Sequence, residues 1–510
     1  MILGMSQEEF RRAAGIWGIA LCVLSAATGW IFVKFGVSWS LGDLPSSEVV
    51  YQVVPAYVVM EVAFIPIGGK LVDRIGVRKV LAFAPSLYIL GSMMCMISNT
   101  FDLMVVSRLI QGIGGGLVLG MAFSAVGKYY DPDKRSKAHE LLTIAFALGS
   151  LFGSGIGYFI SDNFGWRVGF IVFSVIMLVG FVIAWIFIPD HDHSDSRADP
   201  LGLVFAAGVF GLAALYTQMV NVTIDLISWQ SFLMAGGIVV LVILLLRHCN
   251  RSEDPAIPVR ISMFEKKMIL LMFMFSLCGL GLIQYFFKLY LTYYEFDIYK
   301  ASFMFLALLA GAAGPSIIGG KMVYRTGAMP WIIAGSGLVT IGLMLTNLVA
   351  DKGTLGFAAS LFVIGMGLGC IVTEILCSVQ TVVPKKNIGQ HTGNLMAVRM
   401  VGILTGNALV GTYISNIVDA GKDRSPIDLA NVDVLVEEVL KRITDGIHSV
   451  AQSLDTGFLM TVIIMAMVTV MLTGIAHTLG RDDAEAVKAF NEAKERGEEE
   501  QRFHGEQVLQ

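Results

Sequence analysis

Fourteen mostly apolar stretches follow one another along this chain, at 13–33, 51–68, 79–98, 103–127, 140–160, 168–188, 201–219, 229–246, 268–290, 301–320, 331–350, 355–382, 393–416 and 456–479. A helix of about 20 apolar residues crosses a bilayer, and in lipid a helix is the structure that satisfies every backbone polar group within one segment. The run count therefore predicts a polytopic helical membrane protein. Charged residues make up only 15% of the chain, against about 25% in a soluble domain. So few charges exclude an ordinary cytosolic enzyme, and 55% hydrophobic content excludes a disordered chain. A net charge of −4 offers no footprint for nucleic acid. The six cysteines have no CxxC spacing, so neither a disulfide framework nor a metal site is indicated, and no cofactor is expected. The first run reads as an uncleaved span rather than a cleavable signal.

Lysine and arginine gather on one side of this arrangement. With the N-terminus inside, the inner loops and both tails hold 25 basic residues, and the outer side holds nine. Four of those nine (Lys422, Arg424, Lys441, Arg442) lie in one long loop that the positive-inside rule discounts. The expected location is the cytoplasmic membrane, with both termini cytoplasmic.

The chain also repeats itself. Residues 67–76, IGGKLVDRIG, match residues 318–327, IGGKMVYRTG, at seven of ten positions, with an offset of 251. At an offset of 253, Gly112, Gly114 and Gly116 fall on Gly365, Gly367 and Gly369, and Gly149 and Gly153 fall on Gly402 and Gly406. Parallel repeats of this kind build transporters from two like halves. The expected fold is all-α, with two six-helix bundles related by pseudo-two-fold symmetry and two helices inserted between them. The corresponding domains are 1–189, an inserted 190–260, 261–480 with a long outward loop 417–455, and a charged cytoplasmic tail 481–510.

Gly69, Asp73, Arg74, Gly76, Arg78 and Lys79 stand in what reads as a tight inward turn after the second run. Glycines let helix ends approach closely, and a carboxylate can cap the positive N-terminus of a neighbouring helix. Such a contact would form when the cytoplasmic side is shut and break when it opens. The bland alternative is a topogenic loop without a gating role.

GKLVDRIGVRK (Gly69–Lys79) resembles the loop signature of the major facilitator superfamily, and RLIQGIGGG (Arg108–Gly116) resembles that superfamily's fourth-helix motif. Fourteen spans, with Trp166 and Arg167 opening the sixth, are similar to the 14-helix drug:proton antiporter branch. The resemblance implies alternating access and gives Arg108 a part in a proton relay. The chain departs from it in two ways. Ser154 and Tyr158 replace a proline and a glycine of the branch's fifth-helix signature, and the first span has no acidic residue around Leu24–Thr28. Gly149, Gly153 and Gly157 still form a ladder for close helix packing.

An ionisable group in mid-span costs about 2.5–3.5 kcal/mol on insertion scales, so each needs a partner or an aqueous cavity. Glu61 lies eight residues before Gly69, about 12 Å along the helix, and suits a proton carrier. A structural hydrogen bond is its alternative. Arg108, with Gln111 one turn on, reads as a proton relay, an anion ligand or a clamp on backbone carbonyls. Glu374 and Arg399 flank the inward turn 384–389 at similar depth and could form an ion pair that is either static or switched. His139 reads as interfacial, Lys288 as snorkelling, and Trp17, Tyr57, Tyr216 and Tyr285 as core or cavity residues. His191 and His193 with Asp190 and Asp192 could hold a metal, but a flexible linker is the simpler reading.

The leading function is secondary active transport of a small, drug-like amphipathic solute, as proton-coupled export by a monomer in the bilayer. Proton-coupled uptake of an organic anion or metabolite is the alternative. A membrane-embedded lipid-modifying enzyme is a remote one, because the 417–455 loop holds a single histidine, His448, and no catalytic cluster.

Overall fold

The computed structural model describes residues 7–33, 46–189, 199–220, 224–225, 228–258, 261–277, 298–349 and 353–420. Several expectations fall outside these residues: the fourteenth run, the end of the ninth, the 417–455 loop beyond Ala420, the tail, the 190–193 cluster, Lys288 and Tyr285.

The described residues form thirteen α-helices. They are α1 (Gln7–Phe32), α2 (Ser46–Ile75), α3 (Val77–Ile97), α4 (Phe101–Tyr129), α5 (Pro132–Phe164), α6 (Trp166–Phe187), α7 (Pro200–Met219), α8 (Trp229–Arg251), α9 (Met263–Phe275), α10 (Ile298–Thr326), α11 (Met329–Val349), α12 (Gly353–Val382) and α13 (Ile388–Ala420). Among the described residues, ten of these are long and apolar enough to cross a membrane. Local chemistry sets their ends. Side chains of Thr100, Asp199 and Ser228 accept the N–H groups that open α4, α7 and α8, and Ser262 with Glu265 makes a capping box at α9. The α2–α3 and α10–α11 turns each pivot on a left-handed residue, Gly76 at φ 84° and Gly327 at φ 77°. Only glycine takes this conformation without strain, and the two occupy the same place in the repeat.

Glycines also fix the core of each half. Gly112 and Gly116 bring α4 against the α2 carbonyls of Tyr57 and Glu61, while Gly114 brings it against Tyr88 of α3. In the second half Gly365 and Gly369 bring α12 against the α10 carbonyls of Leu308 and Ala312, and Gly367 brings it against Gly335 of α11. The sequence repeat is thus a packing repeat: two bundles of the same design, related by pseudo-two-fold symmetry. The inserted α7 lies across both, against α2 and α13, and α8 packs on α7. On α8, Trp229, Phe232, Val239, Val240 and Ile243 face outward, as expected of a lipid-facing surface.

Two boundaries differ from the sequence reading. Helix α2 runs through the signature to Ile75, so Gly69, Asp73 and Arg74 lie on its last turns and the chain reverses at Gly76. Helix α5 starts at Pro132, two turns before its apolar run, because one face of its first turns, Arg135, Ser136 and His139, is buried against the second half.

Candidate functional site

Polar side chains gather in two places. The first is a buried chain inside the N-terminal half. The Tyr57 hydroxyl donates between the Ala26 carbonyl at 2.8 Å and Glu61 Oε1 at 3.0 Å. The Arg108 guanidinium lies 4.3 Å from the Tyr57 ring centroid, in cation–π geometry. It donates to the Gly29 carbonyl at 2.8 Å, to the Val53 carbonyl and to Gln111 Oε1, and the Gln111 amide donates to Ser92 Oγ at 2.7 Å. Helices α1 to α4 each contribute to this network. Glu61 is fully buried, and its Oε2 has no hydrogen-bond partner. Arg108 is held by carbonyls of α1 and α2 and by Gln111.

The second place is the seam between the halves at the end of α2. Asp73 accepts the α13 N–H groups of Gly389 at 2.9 Å and Gln390 at 2.6 Å, and its Oδ1 lies 2.8 Å from Lys128 Nζ. A carboxylate on one half therefore caps a helix of the other, where unpaired N–H groups and the helix dipole attract it. Gly69 lets α2 and α13 touch at Gly389 and Gly393. Lys70 reaches Asp254 and Gln390, and Gln390 donates to the Pro255 and Ala256 carbonyls, so the α8–α9 linker is tied to the same seam. Of the other signature cations, Arg74 is exposed and Arg78 stacks on Trp185 of α6 at 4.8 Å. Neither touches the seam.

The α10 turn repeats the contact. Gly320, the counterpart of Gly69, meets Ser136 of α5, the counterpart of Gly389. Both pairs of helix ends are in contact, so the molecule is shut on the signature side.

Gly149 lies against Leu24, Gly153 against the Thr28 carbonyl, and Gly157 against the Phe32 ring, and this joins α5 to α1. Gly402, the counterpart of Gly149, joins α13 to Phe273 of α9.

Two expectations are corrected. Glu374 and Arg399 do not pair. Both carboxylate oxygens of Glu374 and Nε of Arg399 are buried without a hydrogen-bond partner, and no ion pair joins them among the described residues. Glu374 turns instead toward Gly319 and Trp331, so similar depth did not mean a shared face. His139 is not interfacial but fully buried, stacked on Phe123, with Nε2 2.9 Å from Gln380 Oε1. Sequence reasoning also missed Glu140, 3% exposed at the α5–α10 contact, because it opens a run that looked like a membrane edge. Trp17 is exposed and Tyr57 is core, while the Tyr216 hydroxyl bonds Ser231.

A second ionic contact lies outside the spans. Asp199 takes N–H donors from Gly202 and Ala256, each at 2.9 Å, and its Oδ1 is 2.6 Å from His248 Nε2. Burial pushes this carboxyl up, but the His248 contact and the two backbone donors outweigh it and hold it below the usual aspartate range. Glu265, 2.7 Å from His391, is likewise held low: burial raises it, and His391 with Ser262 lowers it further.

Comparison with known proteins agrees with this architecture. The chain is 25% identical over 434 residues to the multidrug transporter protein MdtP of Bacillus subtilis, covering 81% of this chain and 77% of that protein. It is 23% identical to multidrug resistance protein 3 of the same organism, covering 93% and 97%. The crystal structure of the human organic anion transporter MFSD10 superposes with a TM-score of 0.60 at 14% identity, covering 90% of this chain and all of that one. A likeness at that identity establishes the fold alone. The model of the Major Facilitator Superfamily matches residues 19–407. The chain, a multi-pass membrane transporter rather than an enzyme, belongs to the Major Facilitator Superfamily.

Proposed function

We propose that this protein exports drug-like amphipathic solutes across the cytoplasmic membrane in exchange for protons, by alternating access of its two halves. The observation that carries the reading is the Asp73 cap: a charge-assisted contact between opposite halves, at the signature itself, that rocking must break. The names of the bacterial relatives supply the substrate class. The excess of basic residues in the loops on the Asp73 side supports a cytoplasmic location for that side and for both termini. The two halves are taken as residues 1–189 and 261–480, with 190–260 inserted between them and 481–510 as a tail, and the unit is a monomer.

Glu61 is the proton carrier of this proposal. It is buried, lies in a half that rocks, and has one oxygen tied to Tyr57 and the other unpartnered, so it can gain and lose a proton without breaking a packed ion pair. Arg108 and Gln111 hold Tyr57 and α1 in place around it. Uptake of an organic anion fits less well, because the Arg108 guanidinium is already held by carbonyls and Gln111.

Purified protein in liposomes tests the proposal. An imposed proton gradient should drive concentrative movement of a fluorescent lipophilic cation, and dissipating the gradient should abolish it. Glu61→Gln should reduce gradient-driven movement to the level of protein-free vesicles while leaving substrate binding measurable. Concentrative transport that persists with the proton gradient collapsed would overturn proton coupling.

A further inference from the structure

The α5–α10 seam contains chemistry that the export reading does not use. Glu140 of α5 and Glu374 of α12 approach the same stretch of α10 from two sides. Ser316 of α10 lies beside Glu140, and Gly319, one turn on, lies directly against Glu374 Oε1. Ser316 Oγ and Thr373 Oγ1 are 2.5 Å apart and link α10 to the residue preceding Glu374. The two carboxyls lie within electrostatic range of each other. Glu374 is 0% exposed with both oxygens unpartnered, and Glu140 is 3% exposed with Oε1 unpartnered.

Among the described residues no cation pairs with either carboxyl, and Lys137, a turn before Glu140 on α5, is exposed. Arg135 donates to the carbonyls of Tyr130, Gly127 and Gln380. His139 is engaged with Gln380, Lys321 and Arg325 on α10 are exposed, and α11 presents Trp331. Arg399 of α13 makes no contact with the pair, and Glu265 of α9 is taken by His391. Cys370 lies a turn before Glu374 on α12. Two carboxylates buried against the same helix without a cation repel each other when both are ionised; a proton shared between them removes the repulsion.

We propose that Glu140 and Glu374 form a shared proton site, separate from Glu61, that is occupied while the cytoplasmic seam is shut and emptied when it opens. The site sits on two different halves: Glu140 on the first, Glu374 on the second. Its proton therefore binds the halves together, and its loss drives them apart. Because the pair lies on the cytoplasmic side of the packed core, its proton is taken from and returned to the cytoplasm. It biases the gate without counting in the transport stoichiometry. Acid on that side favours the shut seam, and alkali favours the open one. The orientation used here is that of the proposed function.

Distances across the seam test the proposal independently of transport. Spin labels at Lys137→Cys and Arg325→Cys, both exposed positions, would be placed in an otherwise cysteine-free full-length chain in lipid nanodiscs. Between about pH 5.5 and 8.5, the short-distance population should fall and a longer one should grow, as the pair loses its shared proton. Glu140→Gln and Glu374→Gln, alone and together, should hold the short distance at both pH values, while Glu61→Gln should leave the shift intact. A distance distribution in the labelled parent that does not move with pH would overturn the proposal even if no Gln variant folds, as would an unchanged shift in the double variant. Loss of gradient-driven transport in Glu61→Gln with the shift preserved separates the two proton sites. If export fails altogether while the shift remains, the proposed function falls and this inference stands.

Discussion

At the scale of single residues, the seam depends on Asp73. Replacing it with alanine leaves two N–H groups of α13 uncapped and takes the carboxylate from Lys128, which keeps the Lys385 carbonyl. Loss of a helix cap costs about 1 kcal/mol, roughly a fivefold change in a two-state ratio, here against the shut form. Alkylation of a cysteine introduced at Gln390 should therefore speed up several-fold in Asp73→Ala, and Asp73→Glu should restore part of the protection. Arg78→Ala should leave this rate unchanged, since Arg78 stacks on Trp185 away from the seam. Asp73 and Arg78 belong to one sequence signature, and only the structure separates a gate residue from one that packs against α6.

At the scale of helices, glycine is structural where backbones meet. A methyl group on Gly149 would enter the Leu24 carbonyl of α1. Overpacking of this sort costs about 1–3 kcal/mol, so Gly149→Ala should lower the thermal midpoint of the detergent-solubilised protein. Gly314→Ala, where a methyl group meets nothing within 4 Å, should leave it unchanged or raise it slightly, since alanine favours a helix by up to about 1 kcal/mol. The Asp199 contact makes a different prediction. A carboxyl held below its ordinary range stabilises the folded state fully above about pH 4, the ordinary value for aspartate. That contribution disappears as pH falls through the lowered native value. Asp199→Asn should lower the midpoint at pH 7, and the difference from the parent should shrink in acid.

Much of the helix pattern was legible in the chain because apolar length and glycine spacing are local signals. The runs located the described helices, and the matched glycines at 112, 116, 365 and 369 marked the α4–α2 and α12–α10 contacts. What sequence hid was azimuth. Glu374 and Arg399 share a depth but not a face, and nothing in their spacing fixes rotation about two separate helix axes. Glu140 and His139 were hidden for another reason: a polar turn buried by a partner helix looks, in sequence, like the edge of the bilayer.

At the scale of the whole molecule, both interhalf seams are shut on the signature side, but by different chemistry. One is an ionic cap between α2 and α13; its counterpart between α5 and α10 has Gly320 against Ser136 and, beside it, two carboxyls. A thioether bridge between cysteines placed at Lys137 and Arg325 should fix the halves together and stop solute flux, leaving single-cysteine controls active. Unimpaired flux in the bridged protein would remove rocking as the mechanism.

Helix α7 rests on α2 and α13, one from each bundle, and α8 lies outside it. A greasy guest dissolved among the acyl chains therefore meets a fence along that flank, built from a segment that neither duplicated unit supplies. Lateral entry from the lipid is closed there, and any sideways route into the interior has to begin elsewhere on the perimeter.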